Sequence, residues 1–526
     1  MAVVFAEAGC PVDRATAERI VTLTGGLPLY VHNAAILTRT HYDRDALRLC
    51  TALSTRRHST PTVQDLILKE VFDSLDPKAR TIAFLLGFAE IPVAPEELER
   101  LADATGLGAA DCARGLRTLA ASSITQRTGR GLITVHDATR SLTQEYGPST
   151  DVQRTVELAL SSVLRHSLVS GNAPIGRLAK WALLLARTDQ TEQLLELASH
   201  DYFFEQSFSG DLKPTLQAVA ADEDATPINR FDALNALAIL ALAANEEQTH
   251  ARLMDDLTTL VAAHPASWGL REKSVLATQQ MIHHTLAGDL IAMNASYLSA
   301  RAETPEGSLA MRILRYTQAQ CFFFAGHYEQ ADILALDVAE AYFAHLGLTP
   351  DVVFGAGLDE LSDRLERNQA ELDDCKRLAD CLALLVRCKR ELEQPHGLAA
   401  MHAMKFYNLA RAWRSFVTMG QEVADDFVEI GDLQQALQLL EQTLLPLSQE
   451  YALADLTIGL RSQRAVIIAH TGDYSAARAE LDNLRHYDVP PQQAREIENQ
   501  RALIESLAAQ PSRPAPRTQA FIEGIP

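Results

Sequence analysis

A glycine-turned helical unit recurs in the second half of this chain, and it constrains the fold more than any other feature. "AGHYEQA" at 325, "IGDLQQA" at 430 and "TGDYSAA" at 471 each join two apolar helical stretches. An alanine follows each glycine by five residues (Ala331, Ala436, Ala477), and another precedes it by seven (Ala319, Ala424, Ala465). Small residues at matched places let two helices approach, while glycine takes the left-handed turn between them without strain. "AGDLIAM" at 287 is a looser copy. The four glycines are 38, 105 and 41 residues apart, and the middle gap leaves room for two or three units with degenerate turns. Such a period means helical hairpins stacked into an α-solenoid with a concave face for binding. No stretch from about 151 to 508 reads as a strand, and 150–240 carries the repeat less clearly. The Pro-rich end, 509–526, reads as a disordered tail.

The chain before the repeats has a different texture. Residues 13–24 fit a helix with Asp13 as N-cap and Ala17, Ile20, Val21 and Thr24 on one face. Gly25-Gly26 ends it, and Pro28 suits the first turn of the next helix, with Leu27, Val31, Ala34 and Ala35 sharing a face. Between 62 and 121 four amphipathic helices follow, "TVQDLILKEVFDSL", "PKARTIAFLLGFA", "APEELERLADATG" and "GAADCARGLRTLAASS". Ile124 and Gln126, then Leu132 to Val135, flank a Gly-rich turn at 129–131, which reads as a short hairpin. Helices followed by a β-hairpin are the order of a winged helix-turn-helix. Asp137 is positioned to N-cap one more helix, closed by Gly147-Pro148. The fold expected is therefore mainly α: a helical domain (1–55), a winged helix-turn-helix with its small β-hairpin (56–147), an α-solenoid (148–508) and the tail (509–526).

Charge narrows the partners. The net charge is -21, but residues 1–150 hold 16 Lys+Arg against 17 Asp+Glu, whereas 151–526 hold 31 against 51. An acidic second part of this size repels nucleic acid and anionic membranes. The seven scattered cysteines fit a reducing compartment, and no apolar run or leader suggests a membrane or a secretory route, so a cytoplasmic location is expected.

Catalytic patterns are missing. The phosphate loop G-x-x-x-x-G-K-[ST] does not occur; "GNAPIGRL" at 171–178 has Arg177 where lysine is required and Leu178 where a hydroxyl should sit. Cys375, Cys381 and Cys388 share a helix at spacings that suit core packing rather than a metal. His283-His284 point apart, and His396 and His402 read as surface or core fillers. The fourth helix of the winged-helix stretch carries Arg114 and Arg117, and the hairpin Arg127 and Arg130, which could contact phosphates. That helix has no Asn or Gln for reading adenine and is mostly Ala, Gly and Leu, so a solvated face is the plainer reading and nucleic acid an unfavoured partner.

With those elements in order, the sequence resembles the C-terminal portion of a STAND-class regulatory NTPase of the NB-ARC kind. "GGLPL" (Gly25 to Leu29) is similar to the family's GLPL motif, and residues 62–147 to the winged helix that follows it. "ITVHDATRSLTQEYG" is similar to the MHD segment, with Val135 in place of methionine and His136-Asp137 retained. Tetratricopeptide-like repeats commonly follow as the sensor, so the resemblance spans roughly 10 to 490. It implies that Gly26, Leu27, Pro28 and Leu29 border a nucleotide, with Pro28 beside the adenine of ADP. It implies that His136 reaches toward the β-phosphate to hold a closed state, and that Asp137 caps the next helix and fixes that histidine.

The family's nucleotide core, with its phosphate loop, would lie ahead of residue 1; the opening residues resemble the family's chain just after it. ADP or ATP with Mg is therefore expected only where that core is supplied, and no cofactor is expected within this chain; self-association or a separate P-loop domain are further partners this allows. A protein or ligand on the concave face of the repeats is the partner implied. Two rival readings stand beside this one: a nucleotide-independent scaffold, and a transcription regulator using Arg114, Arg117, Arg127 and Arg130 on DNA.

Overall fold

A computed structural model describes the chain except residues 57–61, 129–130, 146–148, 170–174, 206–208, 369, 452, 485–488, 490 and 510–526. Its contacts divide it into two units, Met1–Gln190 and Thr191–Pro526. The chain is mainly helical, with one two-stranded antiparallel sheet among the described residues. No described helix is long and apolar enough to cross a membrane.

The first unit runs α1 (Ala2–Glu7), α2 (Arg14–Thr24), α3 (Pro28–His41), α4 (Ala46–Arg56), α5 (Val63–Ser74), α6 (Pro77–Ala89), α7 (Pro95–Asp103) and α8 (Ala109–Ala121). Strands β1 (Thr125–Arg127) and β2 (Ile133–Val135) follow, then α9 (Asp137–Glu145), α10 (Thr150–Val169) and α11 (Ile175–Arg187). The strands pair Thr125 with Val135 and Arg127 with Ile133, and an isolated bridge adds Val93 to Ile133. The centre of the unit is α6, apolar on most of its circumference, with Ile82, Ala83, Phe84, Leu85, Leu86 and Ala89 all buried. Two glycines let neighbours close on it. A Cβ at Gly87 would stand 1.9 Å from Thr143 Oγ1 of α9, and one at Gly115 of α8 would stand 3.0 Å from Ile82 Cγ1.

The hairpin and the helices before it thus follow the expected order. The helices α10 and α11 do not continue the repeats: Val156, Leu160, Val163, Leu164 and Leu184 belong to the core of the first unit. Its edge falls after Gln190, not at the 147/148 boundary that sequence pattern suggests. The expected tail, Gly147-Pro148 and the tip of the hairpin fall outside the described residues.

The second unit begins with α12 (Thr191–Ala198), α13 (Asp201–Phe204) and α14 (Lys213–Ala221). Hairpins follow: α15 (Pro227–Ala243) with α16 (Glu247–Ala263), α17 (Leu270–Leu286) with α18 (Leu290–Glu303), and α19 (Leu309–Phe324) with α20 (Tyr328–Leu346). Two short helices, α21 (Pro350–Gly355) and α22 (Leu358–Arg367), precede the hairpin of α23 (Leu372–Glu391) and α24 (Gly397–Leu409). Next, α25 (Trp413–Glu429) pairs with α26 (Leu433–Leu439), which runs on through a π turn at Leu440–Leu444 into α27 (Leu445–Glu450). The last are α28 (Ala454–His470), α29 (Tyr474–Asn483) and α30 (Pro491–Ala509).

The repeat reading holds at atomic detail. Gly288, Gly326, Gly431 and Gly472 are all left-handed, with φ of 74°, 78°, 83° and 95°. Asp289, Asp432 and Asp473 cap the helices that follow three of them. All six spacing alanines are 0% exposed. The 105-residue gap holds one full hairpin, α23 with α24, plus the two short helices, rather than two or three units. Upstream, Asn245 (φ 55°) turns α15 into α16 without any glycine, which extends the array toward residue 227. Successive first helices touch (α15 with α17, α17 with α19, α19 with α23, α25 with α28), while α16, α18 and α20 make no comparable contact with one another among the described residues.

Candidate functional site

The joint at 24–29 is built by its backbone. Gly25 and Gly26 are both left-handed (φ 65° and 70°), which L side chains rarely adopt, so the double glycine is required by the turn. Their N–H groups are used locally: both bond Val21 O, and Gly26 N also lies 3.3 Å from Thr24 Oγ1. Leu27 N donates to Thr24 O at 3.4 Å, and Pro28 opens α3 with no N–H to place. What the joint presents outward is apolar: Leu27 is 52% exposed and Pro28 is exposed, with Leu29 half-buried. Leu27 thus departs from the face on which Val31, Ala34 and Ala35 are buried, because as N-cap it is extended and turns away from the helix. Val21 is likewise 42% exposed, while Ile20 and Thr24 carry the buried face of α2. Asp13 caps α2 through Thr16 N at 2.7 Å, and those hydrogen bonds hold its carboxyl below the usual range.

His136 sits where β2 gives way to α9. Its N–H bonds Ile124 O at 2.8 Å, closing the hairpin side, and its carbonyl accepts from Thr139 N and Thr139 Oγ1. Ala138 N donates to His136 Nδ1 at 3.3 Å, so the ring itself occupies the capping place. With Nδ1 serving as acceptor, Nε2 is the ring's available donor, and it makes no hydrogen bond among the described residues. Asp137 does not cap: it is the first residue of the helix, and its carboxylate takes Arg140 Nη2 at 2.9 Å in a mostly exposed pair. The cap falls to His136 because its Nδ1, one residue earlier, faces the free N–H groups. Among the described residues no hydrogen bond or ion pair links Gly25–Leu29 to His136–Asp137; α5 packs against α2, α3 and α9 and so stands between the two.

A nucleotide needs donors for its phosphates. The joint has none to spare, since its N–H groups are spent within the turn, and His136 Nε2 offers a single one. These residues form no phosphate cradle.

The arginines sort cleanly. Arg114, Arg117 and Arg127 are exposed, and Arg130 lies outside the described residues. Arg177, the decoy in the "GNAPIGRL" stretch, is buried: it takes both oxygens of Glu97 at 2.5 and 2.7 Å, Ser167 Oγ at 3.0 Å and Pro92 O at 2.8 Å. Glu97 also caps α7 through Ala94 N. Burial pushes the Glu97 carboxyl up, but the Arg177 bonds and the Ala94 N–H outweigh it and hold it below the usual range. Arg177 is a brace for α11, not part of a phosphate site.

In the repeats, the first helices are joined by polar side chains that periodicity did not single out. Gln279 bridges Asn235 (2.9 Å) and buried His250 (3.3 Å). Arg390 pairs with Asp426 and Glu422, and Arg387 with Glu422, tying α23 to α25. Asp380 is pushed up by burial although Lys376 and Tyr407 both bond it. The cysteines are core: Cys375, Cys381 and Cys388 are at most 2% exposed, and burial raises Cys375 and Cys388 to about 12. No metal-holding group of His, Cys, Asp or Glu occurs among the described residues. His396 and His402 are buried rather than surface residues.

No protein-family model and no curated protein matches this sequence. Among solved structures, the chain is similar to a signal transduction ATPase with numerous domains (STAND) protein with a tetratricopeptide repeat sensor from Pyrococcus horikoshii. The identity is 12% and the TM-score 0.39, over 90% of this chain and 74% of that chain. So distant a likeness assigns no function.

Proposed function

We propose that this chain is the lid, winged-helix and sensor part of a STAND-type, signal-transducing switch, acting in the cytoplasm. The observation that carries the reading is His136: a half-buried imidazole held at the hairpin-to-helix corner with Nδ1 as acceptor and Nε2–H directed away from its own cap. A ring so held can donate from Nε2 to a phosphate oxygen. The exposed apolar joint of Leu27 and Pro28 supports the same reading, as a wall for a base. The helices and hairpin of 62–145 serve as the winged helix that carries His136, and the repeats serve as sensor. Where a P-loop core is supplied, ADP or ATP with Mg would provide the phosphates that distinguish the two states; this chain's own part is to wall the base and donate from Nε2. Joined to a P-loop core, the chain should bind ADP measurably by calorimetry, and His136→Ala should weaken that binding about tenfold, the worth of one charge-assisted hydrogen bond. Unchanged affinity in His136→Ala would sink the proposal.

A second reading, a nucleotide-independent scaffold, is favoured by the polar wiring of the first helices, which makes the repeat surface a binding face in its own right. Pull-down of a partner by the repeats as strongly as by the whole chain would support it over the switch. DNA contact through Arg114, Arg117, Arg127 and Arg130 ranks below both, because α8 has no Asn or Gln to read adenine and exposed arginines on a helix are most simply a solvated face.

A further inference from the structure

The start of the second unit makes a detour. Its α12 packs on α15, in the first hairpin of the array. The chain then leaves that hairpin: α13 packs on α23, far along the array, and the turn at Ser209–Leu212 returns to α14, which again packs on α15. At the far point the segment is held by specific groups. Glu205 is 7% exposed, and its carboxylate accepts from Ser415 N at 2.9 Å and Ser415 Oγ at 2.6 Å. Lys376 Nζ lies 3.3 Å from the same carboxylate, and His200 Nδ1 lies 3.2 Å from Asp373 Oδ2. Phe203 is wholly buried, and its ring meets Phe204 edge-on at 5.2 Å.

Glu205 supplies what the receiving helix end lacks. The N-cap of α25 is Ala412, which has no side-chain acceptor, so Ser415, at the third position of that helix, has its N–H satisfied from 210 residues away. Lys376 is 13% exposed and also pairs with the buried Asp380, which itself takes Tyr407. A buried cation, an uncapped helix end and a hydroxyl converging on one carboxylate are a receptor for an acidic side chain. The occupant reads "SHDYFFE" over 199–205: an aromatic pair followed directly by an acid.

We infer that the first-helix surface around Lys376 and Ser415 is a docking site for a short peptide with paired aromatics followed by a glutamate, and that residues 200–205 are its built-in pseudo-ligand, which a partner must displace. This holds whether or not the chain works as a nucleotide switch. A tethered ligand competes at an effective concentration of the order of millimolar, so a free peptide gains access only once the strap is weakened. Occupied, the site also fastens the first hairpin of the array to the fourth and fifth.

The test uses the full chain and a fluorescent peptide of residues 199–205. In Phe203→Ala/Glu205→Ala, amide exchange at 200–205 should rise and the peptide should bind about tenfold or more tighter than to the wild type. Adding Lys376→Met to that variant should weaken the peptide about tenfold, as should a peptide carrying Glu205→Gln, and the two losses should not add, which a merely structural lysine would not show. If the double variant loses its cooperative melting, the single variant Glu205→Gln asks the same question with the fold kept. A released strap with no peptide binding overturns the receptor; unchanged exchange at 200–205 in the double variant overturns the lock.

Discussion

Glu97 and Arg177 are both deep in the first unit, and each makes the other tolerable. Their side chains are 14% and 6% exposed, and the pair is bidentate, with Nη1 also donating to Ser167 and Nη2 to Pro92 O. Removing one partner leaves a buried charge alone, which costs about 3–5 kcal/mol. Arg177→Ala should therefore lower the melting of the first unit sharply, while Arg177→Met/Glu97→Gln should lose clearly less; equal losses would mean that the lost packing, not the charge, matters. His402 poses the opposite case, a neutral ring in an apolar place. It is 2% exposed, beside Phe343, and burial pulls its pKa down to about 4 from an ordinary 6.5. The folded chain resists a proton that the unfolded chain accepts, so this stability is complete above pH 6.5 and is lost as pH falls toward 4, by about 3 kcal/mol in all. His396 works the other way: burial lowers it, but Asp426 and the Gln394 carbonyl raise it further, so its contribution is present below pH 6.5 and fades as pH rises through the folded value. Thermal melting at pH 7 and pH 4.5 should thus show a smaller acid loss in His402→Leu than in wild type; an identical loss would place the acid sensitivity elsewhere.

At the scale of elements, what could be read in the sequence depended on whether a position admits one residue type or several. The turns at Gly326, Gly431 and Gly472 were legible because both the glycine and its flanking alanines recur. The same two places flanking Gly288 hold Met281 and Met293, and those flanking Asn245 hold Ala238 and His250. All four are buried, so the geometry persists while the residues change, and pattern matching sees less than the fold contains. The His136 corner was legible as a motif but not in its chemistry, since a cap made by an imidazole looks, in sequence, like a cap made by the aspartate beside it. The contact that places this corner is the crossing of α6 and α9. Gly87→Ala would drive a methyl to 1.9 Å from Thr143 Oγ1, so the helices must part, at roughly 1–3 kcal/mol. Adding Thr143→Ala removes the hydroxyl but leaves Cβ at 2.9 Å, so recovery of the melting temperature should be partial. Because α9 carries His136 at its start, the same single substitution should weaken ADP binding by the core-joined chain; full affinity would mean that the corner is placed by the hairpin alone.

At the scale of the molecule, the least legible feature was where one unit stops. Helices α10 and α11 have the amphipathic look of the repeats that follow them, and only tertiary packing decides to which core their apolar faces belong. In the first unit that packing is extensive. Val156, Leu160 and Leu164 are 0% exposed within the first core, Arg177 braces the loop at Pro92, and Lys180 reaches Glu90 at 2.7 Å while lying over the Phe88 ring at 5.4 Å. A fragment ending at residue 147 would expose this apolar surface and leave Glu97 without its arginine, two independent losses of several kcal/mol each. Against a total stability of about 5–15 kcal/mol for an ordinary domain, that is enough to unfold it. Residues 1–190 should accordingly melt as one cooperative transition in solution. Residues 1–147 should aggregate or bind a hydrophobic dye without a transition. A 1–147 fragment that melts cooperatively at the same temperature would return α10 and α11 to the repeats and move the boundary back to where the sequence pattern puts it.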